Sequence, residues 1–358
     1  MLIKRRVPIL PVWMFLSLLA GCSTEVEDVW KGDEKAIRFS LPPHTRAIIN
    51  DLTDLATDGN TYTVWGHCKE NTGSGSTELL FDHEPIKYDA DTKKWDYTTA
   101  ERYWNIGNTY HFHALYPTPD KLTGKVTYNS IKPSSGALSI TGFDVVPQNG
   151  QQEKVDLLYA GNTAINITTT NDIPRNGVSL GFNHLLSRIV FVGRSDEKDL
   201  GIGRRVIIDS ATLYGIHTTG DWSSETVTGN TPFGSWKPTG STLAQSNKVY
   251  HFSSTEPLPV TGGISIFEGK ELFLPQSLKN AVLEITYHYN YTDADNPLQF
   301  TGIVHLNELT EEWEPGKSYR YPFTVNNHIF FQTPTVEAWK QAPVNGSDFN
   351  VDIDEENP

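Results

Sequence analysis

Cysteine is scarce in this chain. Its 358 residues include two cysteines, Cys22 and Cys68, and the N-terminal sequence predicts that Cys22 carries a lipid. Cys68 then has no partner for an intramolecular disulfide bond, so the fold has to be held by its hydrophobic core. The count also excludes a zinc site built from cysteines and a cytosolic-type dithiol redox site.

Positive charge is also scarce. Lys and Arg together number 29, against 43 Asp and Glu, which gives a formal net charge of −14. Lys4, Arg5 and Arg6 lie in a segment that we predict to be removed, and losing their three positive charges leaves about −17. A chain this acidic is a poor partner for nucleic acid and for anionic lipid.

Long hydrophobic runs are missing after the N-terminal segment. Val7–Leu18 is apolar and follows the basic residues, but it is too short to remain in a bilayer as a transmembrane helix. It continues into Leu19–Cys22 (LAGC), where small residues precede a cysteine, as a lipoprotein signal peptidase requires. We therefore predict a signal peptide over 1–21, a lipidated Cys22 and an acidic linker over 22–34. The acyl chains hold such a protein to a membrane because each buried methylene contributes about 0.8 kcal/mol.

Helical periodicity is rare, and alternation with a period of two dominates. Ile37, Phe39 and Leu41 share one face of the segment KAIRFSL. Similar alternation, bounded by Gly, Pro, Asn or Asp, occurs in TYHFHALYP (109–117), VLEITYHYNY (282–291) and SYRYPFTV (318–325). Short alternating segments separated by turn residues predict an all-β protein made of antiparallel sandwiches or barrels.

The best candidate for a domain boundary is the polar segment TTTNDIPRNG, residues 168–177. It lies near the middle of the mature chain, which is long enough for two domains with sizeable cores. We therefore predict an N-terminal β-sandwich over 35–167, a linker over 168–177 and a C-terminal β-sandwich over 178–343.

An acidic tail, residues 344–358, closes the sequence. Within it Phe349, Val351 and Ile353 alternate with polar residues, which is typical of a strand with one apolar face. Three interpretations stay open: a strand given to another molecule, an edge strand of its own domain, or a disordered tail.

Motifs for catalysis and metal binding are missing. The sequence contains no nucleophile elbow, phosphate loop or HExxH motif. Two Asp-Ala-Asp segments, at 89–91 and 293–295, lack the glycine and distal glutamate of a calcium loop. His111 and His113 share one face of a strand but have no nearby third ligand, so we predict a solvent-facing pair, no metal site and no cofactor.

Carboxylates and tryptophans leave two other function classes open. The many Asp and Glu residues include enough carboxylates for a glycosidase pair, although we predict that the protein is not an enzyme. Trp95, Trp222 and Trp236 are candidates for stacking on sugar rings if they are exposed, and core residues if they are buried.

Several segments, taken in order, carry a family resemblance. They are YWNIGNTYHFHALYP (103–117), DLLYA (156–160), LGFNHLLSRIVF (180–191), LYGIHTTGDW (213–222), LFLPQSL (272–278), WEPGKSYRYPFTV (313–325) and VEAW (336–339). This set resembles the fimbrillin-like proteins of Bacteroidetes, which are pilins and pilus-associated lipoproteins. The resemblance implies two tandem transthyretin-like β-sandwiches after a lipoprotein signal peptide. The acidic segment STEVEDV after Cys22 resembles the signal that sends lipoproteins of this group to the outer face of the outer membrane.

The resemblance also implies a way of assembling. In polymerising members an arginine-specific protease cuts beyond the first strand, and a strand from a neighbouring subunit fills the groove that is left. The corresponding residues here are Ile37, Phe39 and Leu41 for the displaced first strand, Arg46 and Ala47 for the cleavage site, and Phe349, Val351 and Ile353 for the donor strand.

The function predicted on this basis is that of a cell-surface lipoprotein acting as a structural or accessory subunit of a pilus, in adhesion. Its partners would be other pilus subunits, the lipid of the outer membrane, and a host protein or glycan. The alternative is a surface glycan-binding lipoprotein, and a secreted hydrolase is a distant third.

Overall fold

Strands provide almost all of the regular structure. A computed structural model of the chain describes residues 35–40, 59–72, 76–131, 136–146, 156–161, 164–196, 205–225, 232–267, 271–290, 298–326 and 328–339. Within these residues the protein is all-β, as the alternating pattern predicts. The strands are accompanied by short 3₁₀ turns at Pro119–Lys121, Thr170–Asp172 and Leu306–Glu308.

The strands are numbered in chain order. Up to residue 184 they are β1 (Phe39–Ser40), β2 (Thr61–Glu70), β3 (Thr77–Asp89), β4 (Lys94–Asp96), β5 (Asn108–Tyr116), β6 (Lys125–Asn129), β7 (Ala137–Asp144), β8 (Leu158–Gly161), β9 (Ile165–Ile167), β10 (Val178–Ser179) and β11 (Asn183–His184). From residue 187 they are β12 (Ser187–Ser195), β13 (Arg205–Tyr214), β14 (Thr219–Ser223), β15 (Ser235–Thr239), β16 (His251–Phe252), β17 (Ile264–Ser265), β18 (Leu272–Phe273), β19 (Gln276–Ser277), β20 (Val282–Asn290), β21 (Gln299–His305), β22 (Glu312–Trp313), β23 (Lys317–Val325), β24 (Ile329–Phe331) and β25 (Thr335–Ala338).

The largest sheet has the strand order β10-β1-β4-β3-β2-β5-β8-β11, with β9 paired to β5. One face of this sheet packs around a first core, to which β2 contributes Tyr62 and Val64. The next residue of β2, Trp65, points to the opposite face and is also buried, at 3% exposed. Both faces of β2 are therefore covered, which is why its sequence is apolar without strict alternation.

A second core lies between two smaller sheets. One has the order β17-β12-β23-β24, with β18 on β12 and β25 on β23, and the other has the order β16-β13-β20-β21. β12 and β23 run parallel, and the rings of Phe191 and Tyr321 stack with centroids 4.9 Å apart. Tyr319, Tyr321 and Phe323 are all buried in this core, so the period-two pattern of the sequence correctly predicted the inner face of β23.

A fourth sheet, β15-β14-β7-β6, connects the two parts of the chain by pairing β7 with β14. A junction core behind it combines Leu138 and Trp222 with Trp339, which follows β25. Trp339 is 4% exposed and stacks on His184 with ring centroids 4.0 Å apart. The described residues from Ala36 onward thus belong to one compact unit.

The predicted linker, residues 168–177, packs against the first core. Ile173 is buried there, and β10, which follows the linker, pairs with β1. Leu180 and Phe182 also belong to the first core. Residues on both sides of the predicted boundary therefore share one core, and the division into separate sandwiches remains a prediction.

Candidate functional site: the seat of the first strand

The first strand lies inside the largest sheet and not at its edge. Phe39 pairs in parallel with Val178 of β10 and in antiparallel with Trp95 of β4. We call residues 36–40 the first-strand segment, and we call β4, residues 97–103 and residues 177–180, which include β10, its seat.

On one side, the seat holds the first-strand segment through main-chain and hydroxyl groups. The amide of Ile37 donates to the carbonyl of Arg102 at 2.7 Å. The hydroxyl of Tyr97 donates to the carbonyl of Ile37 at 3.0 Å, and it accepts the amide of Arg102 at 3.2 Å. Tyr97 therefore links the segment to the loop that follows β4.

On the other side, the seat supplies the ladder of a parallel pair. The amides of Val178 and Leu180 donate to the carbonyls of Arg38 and Ser40 at 2.7 and 2.9 Å. Gly177, just before β10, has a φ of +78°, and a Cβ at this position would lie 2.7 Å from the Arg38 carbonyl oxygen. Glycine is thus required here both for the backbone conformation and for the close approach of β10 to the segment.

The apolar side of the first-strand segment points into the first core. Ile37 is 0% and Phe39 is 4% exposed. The ring of Phe39 meets Phe81 and Phe112 edge to face, with centroids 5.3 and 5.5 Å apart. Burial of each of these side chains contributes about 1.5–3 kcal/mol, so the segment is an integral part of this core.

The polar side of the segment carries an ion pair network. The guanidinium of Arg38 bonds Asp96 at 3.2 Å and also bonds Glu101, and it lies over the ring of Tyr97. Hydrogen bonds from Tyr103 and then from Arg38 lower the pKa of Glu101. These contacts hold the side chain of Arg38 against the seat, while the main-chain carbonyl of Arg38 is bonded to β10.

The other residues predicted for assembly fall on parts of the chain that the structure does not describe. They are Cys22, Leu41, Arg46, Ala47, Phe349, Val351 and Ile353. Ile37 and Phe39 are the members of that set that the described residues include, and both lie in the seat. Their displacement, and the roles of the others, stay predictions.

Comparison with known proteins decides the family. The family model for fimbrillin-like proteins matches residues 45–339. The chain belongs to the fimbrillin-like family. Membership confirms the resemblance seen in the ordered sequence segments, and it supports a pilus-associated, adhesin-like role at the cell surface.

Solved structures similar to this fimbrillin-like protein share little sequence with it. A candidate cell adhesion protein from Bacteroides uniformis is 16% identical, with 86% of this chain and 98% of that chain covered and a TM-score of 0.44. One from Parabacteroides distasonis is 11% identical, with 87% and 99% covered and a TM-score of 0.41. The fimbrial anchor protein Mfa2 from Porphyromonas gingivalis is 7% identical, with 86% and 98% covered and a TM-score of 0.31. Such low values establish no shared function, and no curated protein matches the chain.

The histidine pair of this fimbrillin-like protein does not face solvent, so that prediction was wrong. His113 is 6% exposed, and its Nδ1 lies 2.7 Å from the hydroxyl of Tyr159. His111 stacks on His67 with ring centroids 5.2 Å apart, and Nδ1 of His67 lies 2.6 Å from the hydroxyl of Tyr128. Because Tyr128 belongs to β6, the β6–β7 hairpin covers the face that the alternation pattern assigned to water.

The described residues can be assessed for a metal site and for a membrane-spanning helix. In the described part of the chain, no group of three or more His, Cys, Asp or Glu residues is arranged to hold a metal ion. Over the same residues, none of the helices has the length and hydrophobicity needed to span a bilayer.

The three candidate tryptophans have different environments. Trp95 is 7% exposed in the first core, and Trp222 is 1% exposed in the junction core. Trp236 on β15 is half-buried and lines an open cleft. Only Trp236, among these three, retains the exposure that a sugar platform needs.

Proposed function

We propose that this fimbrillin-like protein is a non-catalytic structural or accessory subunit of a pilus, assembled by strand complementation between subunits. The observation that supports this is the place of the first-strand segment, which is inserted between β4 and β10 in the interior of a sheet. The residues before it, 1–34, are predicted to be signal peptide and linker. Its withdrawal would therefore open a slot without pulling any other strand out of the fold.

The slot left by the first-strand segment has the chemistry that an extended peptide satisfies. It presents the amides of Val178 and Leu180 on one side and the carbonyl of Arg102 on the other. Between them lies the apolar surface of Phe81 and Phe112. Strand addition supplies main-chain hydrogen bonds for affinity and alternate side chains for specificity.

The acidic tail is the proposed donor. Phe349, Val351 and Ile353 have the same period of two as Ile37 and Phe39. Three anchors contribute about 1.5–3 kcal/mol each and about five main-chain hydrogen bonds add about 0.5–1.5 kcal/mol each, whereas ordering about eight to ten donor residues costs about 1–2 kcal/mol each. The balance is close to zero, so assembly depends on the large cost of leaving the slot empty.

Proteolysis would control when the slot opens. We propose cleavage between Arg46 and Ala47, which separates the first-strand segment from the rest of the chain. The nearest upstream arginine, Arg38, has its carbonyl bonded to the amide of Val178 at 2.7 Å, which protects it because a protease binds an unpaired, extended segment. An uncleaved subunit would keep lipidated Cys22 and serve as an outer-membrane anchor.

The proposal is tested on protein recovered from cells of the native host. N-terminal mass spectrometry should find either a lipidated Cys22 or a chain beginning at Ala47. Cleaved protein should form heat-resistant ladders on denaturing gels, and these should disappear in Arg46→Ala and in a deletion of 347–358. Arg175→Ala, at an exposed arginine after the 3₁₀ turn, is the matched control and should leave the ladders unchanged. A cleaved, folded chain that runs only as a monomer contradicts the proposal.

A further inference from the structure

An open cleft of about 580 Å³ lies between β15 and the ribbon formed by β19 and β22. None of its lining residues belongs to the first-strand segment or its seat. The size is within the range of about 300–1,000 Å³ that small-molecule sites occupy. β15 is the edge strand of its sheet, so one wall of the cleft is formed by an outer strand.

One wall of the cleft is apolar and rigid. Gly234, Trp236 and Pro238 follow one another at intervals of two, so they share one face of the β15 region, and all three line the cleft. The indole Nε1 of Trp236 donates to the carbonyl of Leu185 at 2.7 Å, and its ring packs against Phe143 with centroids 5.6 Å apart. Trp236 is thus held on one side by the junction core while it lines the cleft.

The floor is also fixed by internal bonds. Trp313 is 1% exposed and donates its Nε1 to the hydroxyl of Tyr321 at 3.0 Å. The side-chain amide of Gln276 accepts the amide of His217 at 2.8 Å and donates to the His217 carbonyl at 2.9 Å. These groups are already hydrogen-bonded within the protein, so the floor contributes mainly shape and apolar surface.

The rim formed by β19, the two residues near its end and β22 has polar side chains that the described part of the chain leaves unbonded. The hydroxyl of Ser277, the ammonium of Lys279, the amide of Asn280 and the carboxylate of Glu312 all line the cleft. All four residues are exposed. Together they offer both hydrogen-bond donors and acceptors within one small rim.

We infer that this cleft binds a carbohydrate chain, with Trp236 as the platform for a sugar ring. A pyranose has a flat face of C–H bonds, which suits a fixed aromatic and proline wall, and a perimeter of hydroxyl groups, which both donate and accept. The lining of the cleft includes both kinds of surface. An extended peptide would instead need unpaired main-chain groups along the wall, and Pro238 removes one amide donor from β15. This inference is independent of strand complementation, because the two sites share no residues.

Native gel electrophoresis of the full-length chain, in gels containing gastric mucin, yeast mannan, xylan or dextran, tests the assignment. At least one polysaccharide should retard the protein. Trp236→Ala should weaken the retardation about thirtyfold or more, because removing a tryptophan that is a binding hot spot typically costs about 2 kcal/mol or more, and each 1.4 kcal/mol is about tenfold in affinity. Lys237→Ala is the matched control, because Lys237 is exposed and lies on the other face of the same strand.

Two rim variants guard against a folding defect in Trp236→Ala. Asn280→Ala and Glu312→Gln change exposed side chains, and each should weaken the retardation while leaving circular dichroism and the ladders unchanged. Absence of retardation in all four gels overturns the inference. Equal weakening of the retardation by Lys237→Ala also overturns it. An effect of Trp236→Ala on ladder formation and not on polysaccharide binding would overturn it as well, because that result would indicate a peptide in the cleft.

Discussion

Truncating Phe39 is the most direct perturbation of the seat. Phe39 is 4% exposed and touches Phe81 and Phe112 edge to face. Replacing a buried phenylalanine with alanine costs about 3–5 kcal/mol. If the first-strand segment detaches without unfolding the remaining sheet, as we propose, about 3 kcal/mol of this loss should appear as local opening of the segment.

Hydrogen exchange measures that opening at two defined amides. Val178 and Leu180 donate to carbonyls of the first-strand segment, so their amides exchange when the segment leaves. At about 1.4 kcal/mol for each factor of ten, Phe39→Ala should speed their exchange about a hundredfold. The assay is exchange mass spectrometry on a peptide that contains both residues.

The control is Phe330→Ala, which removes a phenylalanine that is 52% exposed on β24. It should leave the exchange of both amides unchanged, because surface substitutions typically alter stability by about 0.5 kcal/mol or less. Unchanged exchange in Phe39→Ala, or an equal loss of protection in β13 and β20, would refute the view that the segment opens as an independent unit.

Three further predictions concern other parts of the fold. Burial, and then the neighbouring imidazoles, lower the pKa of His111 to about 4, below its ordinary value of about 6.5. As the pH falls, the imidazole of His111 is protonated in the unfolded chain before it is protonated in the folded chain. The free energy of unfolding should therefore fall by at most about 3 kcal/mol as the pH drops from about 6.5 to about 4. Urea titrations at several pH values check this, and His111→Phe should remove the effect. Gly177→Ala should destabilise the protein by about 1–3 kcal/mol more than Gly107→Ala. Both glycines have positive φ, but of the two only Gly177 would also bring a Cβ against the Arg38 carbonyl. Urea unfolding of the two variants measures the difference, and equal losses of unfolding free energy would contradict the close approach. Burial raises the pKa of Cys68 to about 11, so iodoacetamide at neutral pH should label this thiol only after unfolding, and rapid labelling of folded protein would count against its position in the core.

The sequence predicted most where a strand has one covered face. Tyr319, Tyr321 and Phe323 alternate in the sequence and are all buried on one side of β23. Ile37 and Phe39 were predicted to share an apolar face, and both lie in the first core. In these strands period-two patterning is sufficient, since the side chains on the other face remain polar.

The predictions that were wrong or incomplete concern faces covered by a distant part of the chain. The histidine at 113 follows the alternation of β5 correctly, but the β6–β7 hairpin buries it. His67, which stacks on His111, carries no signal in the sequence, because the two residues are brought together only by the pairing of β2 with β5. The cleft beside Trp236 likewise arises from β15 and the β19–β22 ribbon, which are far apart in sequence. The local pattern of apolar and polar residues contains no information about such long-range contacts.

The parallel pairing of β1 with β10 gives the slot a direction. Parallel and antiparallel neighbours space their hydrogen bonds differently, so a replacement segment has to enter with the same N-to-C sense as the one it replaces. Subunits joined in this way would all point the same way, in a head-to-tail chain that does not close on itself. Its two ends would then be chemically different, with a vacant slot at one and an unused tail at the other, and each would need its own terminating partner.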